Sequence, residues 1–183
     1  MKATQQLKDE HEGVKIMLSI IEQVCRQLEA VGSLNEGHFE GILEFLKVFV
    51  DKCHHGKEED LLFPALIAVG VPKEGPIAVM LHEHEIGRNY VKAISEAYAI
   101  YMAGDKFSSK DIMQNAYGYI SLLKDHIEKE NNVLFVMADS HLSDKIQDEL
   151  FEGFEKIEEE RIGVGKHDEF HRLLEKLSGI YLN

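Results

Sequence analysis

The chain has 183 residues, with 33 acidic side chains against 20 basic ones and a net charge of −13. So acidic a surface repels phosphate backbones and anionic headgroups, which excludes nucleic acid and charged membrane surfaces as partners. Met1 to Glu12 is polar and mixed in charge, no apolar run approaches the ~18 residues of a membrane span, and Cys25 and Cys53 make no disulfide framework. A single-domain cytoplasmic protein with two reduced thiols is expected. The anomaly is ten histidines, six of them in the segments around positions 11, 54, 84 and 126.

The first helix is expected from about 4 to 31. Leu7, His11, Val14, Leu18, Ile21 and Cys25 recur at three- and four-residue intervals, which puts His11 on the apolar stripe. Gly32-Ser33-Leu34-Asn35 closes it. A second helix from about 36 aligns Leu43, Leu46, Val50, His54, Glu58, Leu61 and Leu62, and Pro64 is expected to kink or end it. The third starts near Gly75-Pro76, with Ile77, Met80, Leu81, His84, Val91 and Ile94 on one face, and stops at Gly104-Asp105. Ser108 or Ser109 is the expected cap of a fourth helix, where Tyr119, Leu122, Leu123, His126, Glu130, Val133 and Leu134 face one way. Ser140-His141-Leu142-Ser143 breaks it. A fifth helix (about 143–161) and a sixth after Gly163-Val164-Gly165 carry their own apolar stripes.

No segment alternates as a strand does, so the fold class is all-α. The short connections predict an up-down-up-down four-helix bundle over residues 1–140, with a C-terminal helical extension over 141–183 packed on it.

A repeat runs through the bundle. Cys53-His54-His55-Gly56-Lys57-Glu58-Glu59-Asp60-Leu61-Leu62-Phe63 returns as His126-Ile127-Glu128-Lys129-Glu130-Asn131-Asn132-Val133-Leu134-Phe135, in the frame His-x-x-Lys-Glu-x-x-aliphatic-Leu-Phe. Glu10-His11-Glu12 likewise matches Glu83-His84-Glu85, and the spacings from His11 to His54 and from His84 to His126 are 43 and 42 residues. Each half is thus a helical hairpin offering one lone His and one His-x-x-x-Glu pair, whose members share a helix face about 6 Å apart.

Spacing does not separate His54 from His55, because His55-x-x-x-Glu59 has the same interval. Periodicity does: His54 steps back to Val50 and Leu46, whereas His55 steps back to Asp51 and Lys47. His38, His55 and His141 are therefore expected on the surface or in loops. His84 is preferred over His82, which has Asn89 seven residues on where His84 has Val91. Buried carboxylates without a cation are costly, and no Lys or Arg shares the stripes near Glu58 or Glu130. His11, His54, Glu58, His84, His126 and Glu130 are accordingly expected to bind metal. Four imidazoles and two carboxylates suit iron or manganese, and zinc less specifically. With both glutamates bridging two metals, positions remain for a bridging oxide and a small exogenous ligand. His167 and His171 sit beside Phe170, Leu173 and Leu174, and are expected to belong to an amphipathic helix rather than to a metal site.

These motifs, with Gly75-Pro76-Ile77 leading into Val79-Met80-Leu81, resemble the haemerythrin-like proteins with an HHE cation-binding domain over about residues 5–138. The resemblance implies two non-haem iron ions in an Fe–O–Fe type centre, with manganese or zinc as substitutes and the six residues above as ligands. Oxygen-carrying haemerythrins have a further His one turn before the third helix's ligand, where this chain has Met80, and an Asp where it has Glu130. Two function classes follow. One binds or senses dioxygen or nitric oxide without turnover. The other is a di-iron redox enzyme that reduces peroxide or nitric oxide, or supports repair of damaged iron centres. The expected partner is a diatomic ligand or peroxide; no electron donor is legible.

Overall fold

A computed structural model describes residues 2–183, and its six helices contain no strand among the described residues. Helix α1 spans Ala3–Val31 and ends where Gly32, at φ 75°, donates its N–H to the Leu28 carbonyl. Helix α2 (residues 36–68) starts on Asn35, whose side chain accepts from the His38 N–H. Helix α3 is Ala78–Met102, α4 covers residues 109–141, α5 residues 144–162, and α6 is Lys166–Tyr181. Gly163 and Gly165, at φ 94° and 82°, separate the last two by a turn that side chains with a Cβ resist.

Helices α1 to α4 form the antiparallel bundle. Residues early in α1 meet residues late in α2, as His11 meets His54, while Tyr101 at the end of α3 reaches back to the Gly32 carbonyl. Helix α4 packs along α3 and closes the ring against α1. Helices α5 and α6 lie against the outer side of α1 and α2. They share the bundle's core. Phe154 of α5 is wholly buried among Leu7, Leu62 and Phe63, and Phe170, Leu174 and Leu177 of α6 join a second apolar cluster with Met17, Phe45 and Phe49.

The two apolar clusters are separated by a polar layer. In α1 the layer is His11, between Leu7 and Val14. In α2 it is His54 and Glu58, between Val50 and Leu62. In α3 it is His84, and in α4 His126 and Glu130. Every one of these six residues is at most 2% exposed.

The long helices are not uniformly α. Over Phe45–His55, Glu58–Leu62 and Glu130–Leu134 the backbone winds as π-helix, with the Gly56, Phe63 and Phe135 N–H groups bonded to carbonyls five residues back. Each residue then turns through a smaller angle than in an α-helix. Three expectations change for that reason. His55 is buried, at 4% exposure, rather than on the surface, because stepping back by four no longer finds its face. Val133 points out, at 49% exposure, instead of continuing the α4 stripe. Pro64 does not end α2, which runs on to Ala68, because the widened turn before it relieves the clash of its ring with the preceding carbonyls.

Two smaller expectations also change. Ser108 stands at the N-cap position of α4 but its side chain makes no capping bond: its hydroxyl lies 3.0 Å from the Ala97 carbonyl and 2.9 Å from that of Asp105, while Asp105 caps a short 3₁₀ turn ahead of the helix. His38 is half-buried, with its Nδ1 2.8 Å from the Tyr181 hydroxyl.

Truncating Phe154 tests whether α5 belongs to the core. Phe154→Ala is expected to lower the free energy of unfolding by about 3–5 kcal/mol, the usual cost of emptying a phenylalanine site. Urea denaturation checks it, and a loss under about 1 kcal/mol would place α5 outside the cooperative unit.

Candidate metal centre

The polar layer is two imidazole pairs with two carboxylates among them. His11 and His54 bring their Nε2 atoms to 3.0 Å, and His84 and His126 bring theirs to 3.1 Å. Those are separations of neighbouring ligands at right angles around one ion with metal–nitrogen bonds of about 2.1 Å. Glu58 directs Oε1 toward His54 (3.6 Å) and Oε2 toward His84 (3.4 Å). Glu130 directs Oε2 toward His11 and Oε1 toward His126, both at 3.1 Å. Each carboxylate thus offers one oxygen to each imidazole pair.

None of those four carboxylate oxygens has a hydrogen-bond partner, and both side chains are fully buried. An ionised carboxylate in such a place is tolerated only beside positive charge. Within the layer only the imidazoles offset the two carboxylates, and each kind of group shifts the other. Burial pushes the Glu130 carboxyl up, yet the imidazoles of His126, His11 and His84 hold it well below the usual carboxylate range. Burial would lower His84, but the carboxylates of Glu130, Glu58 and Glu59 raise it to about 11. His11 and His126 are raised against their own burial by Glu130 and Glu58.

The outer nitrogens fix the inner ones. Each of the four rings has its Nδ1 on an acceptor: Asn131 for His11, Glu10 for His54, Glu59 for His84 and Glu83 for His126, at 2.7–2.9 Å. With Nδ1–H donating outward, a neutral ring turns its Nε2 lone pair to the centre, which is the tautomer a metal ligand needs. Those acceptors are held in turn. The Lys57 ammonium, fully buried, bonds Glu10 and Glu158; Lys129 bonds Glu83; Arg88 donates to both Glu59 and Asp51 at 2.7 Å. His54 and Lys57 hold Glu10 down at about 2 although burial pushes it up. Phe63 stacks on His84 and Phe135 on His11, with ring centroids 6.0 and 5.5 Å apart, so aromatic rings seal the layer on one side.

Residues 2–138 match the family described as Hemerythrin HHE cation binding domain. The chain belongs to that family. Uncharacterised proteins of Mycobacterium bovis and of two strains of Mycobacterium tuberculosis are each 25% identical to it over 178 residues, covering 97% of this chain and 68% of their own. No solved structure gives a significant match. The haemerythrin-like helical bundle expected from the motifs is therefore the fold, and its His and Glu clusters are groups that could hold metal.

Within this haemerythrin domain the six expected residues share one layer. His82 is exposed, which leaves His84 as the α3 histidine. Met80 is buried one turn away in the apolar cluster of Leu62, Phe63 and Leu134. His167 and His171 lie ring against ring on α6, with His167 also beside Phe49, and the Glu10–Glu158 pair near them already holds the Lys57 ammonium.

Sequence reasoning missed the outer partners, although the repeat encodes them. The Lys of its frame is Lys57 and Lys129; the Glu before each lone His is Glu10 and Glu83; the residue after each buried Glu of the layer is Glu59 and Asn131, and it holds the other hairpin's lone His. Its final Phe stacks on that same ring. Removing one such partner tests the arrangement. Glu83→Gln is expected to weaken metal affinity by about ten- to a hundredfold while leaving full occupancy at saturation. A chelator-competition titration reads this, and unchanged affinity would show that Glu83 does not orient His126.

Proposed function

We propose that the chain binds two iron ions, one at each imidazole pair, and holds a small ligand such as dioxygen or nitric oxide there without turnover. The observation that carries this reading is the pair of buried, unpartnered carboxylates, Glu58 and Glu130, each with one oxygen toward each imidazole pair. Two His nitrogens and two carboxylate oxygens at each position are a hard to intermediate donor set that suits iron or manganese. Iron so held supplies redox chemistry toward dioxygen, nitric oxide or peroxide.

The chain's own residues orient and protect the site. Glu10, Glu59, Glu83 and Asn131 fix the four rings through Nδ1, and Phe63, Phe135, Leu62 and Leu134 keep water from the side they cover. Met80 stands one turn before His84 on the buried face. A thioether matches ferric iron poorly, so Met80 adds no ligand.

Binding without turnover is favoured over a self-sufficient reductase by the thiols. Cys25 and Cys53 are both buried and free, and burial pushes each up to about 12, so neither supplies a thiolate to relay electrons. Reduction of peroxide or nitric oxide, or repair of damaged iron centres, would require an electron donor from outside.

Anaerobic reconstitution with ferrous iron, followed by rapid mixing with nitric oxide, dioxygen or peroxide, tests the proposal. The expected result is two irons per chain and a stable adduct with dioxygen or nitric oxide. Repeated consumption of peroxide or nitric oxide with a reductant present would favour the enzyme, and failure to retain two irons would reject the reading altogether.

A further inference from the structure

The repeat that builds the centre is broken at one buried position. In the gapless alignment His55 falls over Ile127. Both side chains are buried, but one carries ring nitrogens and the other only carbon. His55 leaves α2 toward the opposite half of the centre, where its ring stacks on His84 with centroids 3.8 Å apart and planes inclined by 17°. The two halves are therefore chemically unequal.

His55 does not sit as a metal ligand would. The rings of the two converging pairs are inclined by 53° and 61°, and their Nε2 atoms meet at about 3 Å. His55 lies nearly parallel to His84 and so does not converge with it on a common point. A His55 nitrogen nonetheless comes within 4.8 Å of a ring nitrogen of His84 and of one of His126. Its Nδ1 is buried and has no hydrogen-bond partner, with the Asp51 carboxylate 3.6 Å away. A polar ring left unsatisfied beside a metal position is placed to serve something that arrives there.

A cavity reaches His55. A cavity of about 290 Å³ lies between α2 and α3, walled by Leu46, Val50, Gly87, Val91 and Tyr119, with His55 among its lining residues. Exposed Lys92 and Glu96 belong to the same lining, so the cavity reaches the surface. His55 thus stands between this space and the ring of His84.

We propose that His55 donates a hydrogen bond to a small acceptor ligand held at the His84–His126 half of the centre, reached through the cavity between α2 and α3. The His11–His54 half, with Ile127 in the equivalent place of the repeat, has no such donor, and ligands with an acceptor atom select the first half. The inference rests on the metal reading above and adds which half takes the ligand and what recognises it.

Azide is a suitable probe, because its binding to the oxidised iron-loaded protein is followed by absorbance and its stretching vibration by Raman scattering. His55→Phe keeps a stacking ring without a nitrogen, and His55→Gln restores a donor. The expected result is two irons in all three proteins, azide affinity about tenfold weaker in His55→Phe, as one hydrogen bond is worth, and recovery in His55→Gln. The azide vibration is expected to shift in deuterated water in the unmodified chain and in His55→Gln but not in His55→Phe. Loss of one iron from His55→Phe would make His55 a ligand and overturn the inference. So would an azide affinity indifferent to the substitution, or a vibration insensitive to deuterium in the unmodified chain, a reading that needs no variant to fold. Each of those leaves the two-iron reading standing; an unmodified chain that retains no iron pair removes both.

Discussion

Two carboxylates buried between four imidazoles, with no donor for any of their oxygens, are the constraint on which the structure depends. An uncompensated carboxylate in a protein interior is among the most expensive groups a fold can hold, and removing one partner of a buried charge pair costs several kcal/mol, roughly 3–5. No lysine or arginine is placed to neutralise Glu58 or Glu130. The cations of the region, Lys57, Lys129 and Arg88, are spent on the outer carboxylates that hold the histidine Nδ1 atoms. Within the inner layer only the imidazoles are left to offset Glu58 and Glu130.

The rest of the molecule follows from keeping that layer dry and at one level. Apolar clusters lie on both sides of it along the bundle axis, and α5 and α6 add Phe154, Phe170 and Leu177 to those clusters from outside. The π-wound stretches of α2 and α4 fall at the layer itself, where Glu58 and Glu130 each begin one. Such turns cost hydrogen-bond quality and occur mostly at functional sites. Here the altered winding decides which residues flanking the ligands face inward, His55 above all.

The sequence carried most of this at the level where an α-helical period holds. Helix extents, the antiparallel bundle and the burial of His11, His54, His84 and His126 follow from apolar spacing and from the matched hairpins. His55 and Val133 were misplaced for one shared reason: both lie in or beside backbone wound with five-residue hydrogen bonds, and no local composition signal marks that change. The outer partners are a different matter. Lys57 and Lys129 stand in the repeated frame itself, and a Lys that recurs between a His and a Glu on a buried stripe invites the question of which carboxylate it meets. Glu10 and Glu83, at matching positions in the other helix of each hairpin, answer it. What single-chain spacing does not convey is the cross-hairpin exchange, by which Glu59 serves His84 and Asn131 serves His11.

The central claim is that the layer is a two-metal site, and locating the metals tests it most directly. In crystals of the iron-loaded chain, diffraction data collected on either side of the iron absorption edge give an anomalous map that shows iron alone. The account requires two peaks in the layer between the apolar clusters, one against His11 and His54, the other against His84 and His126, with Glu58 and Glu130 reaching both. A single peak, or iron bound elsewhere while these six side chains remain metal-free, would contradict it.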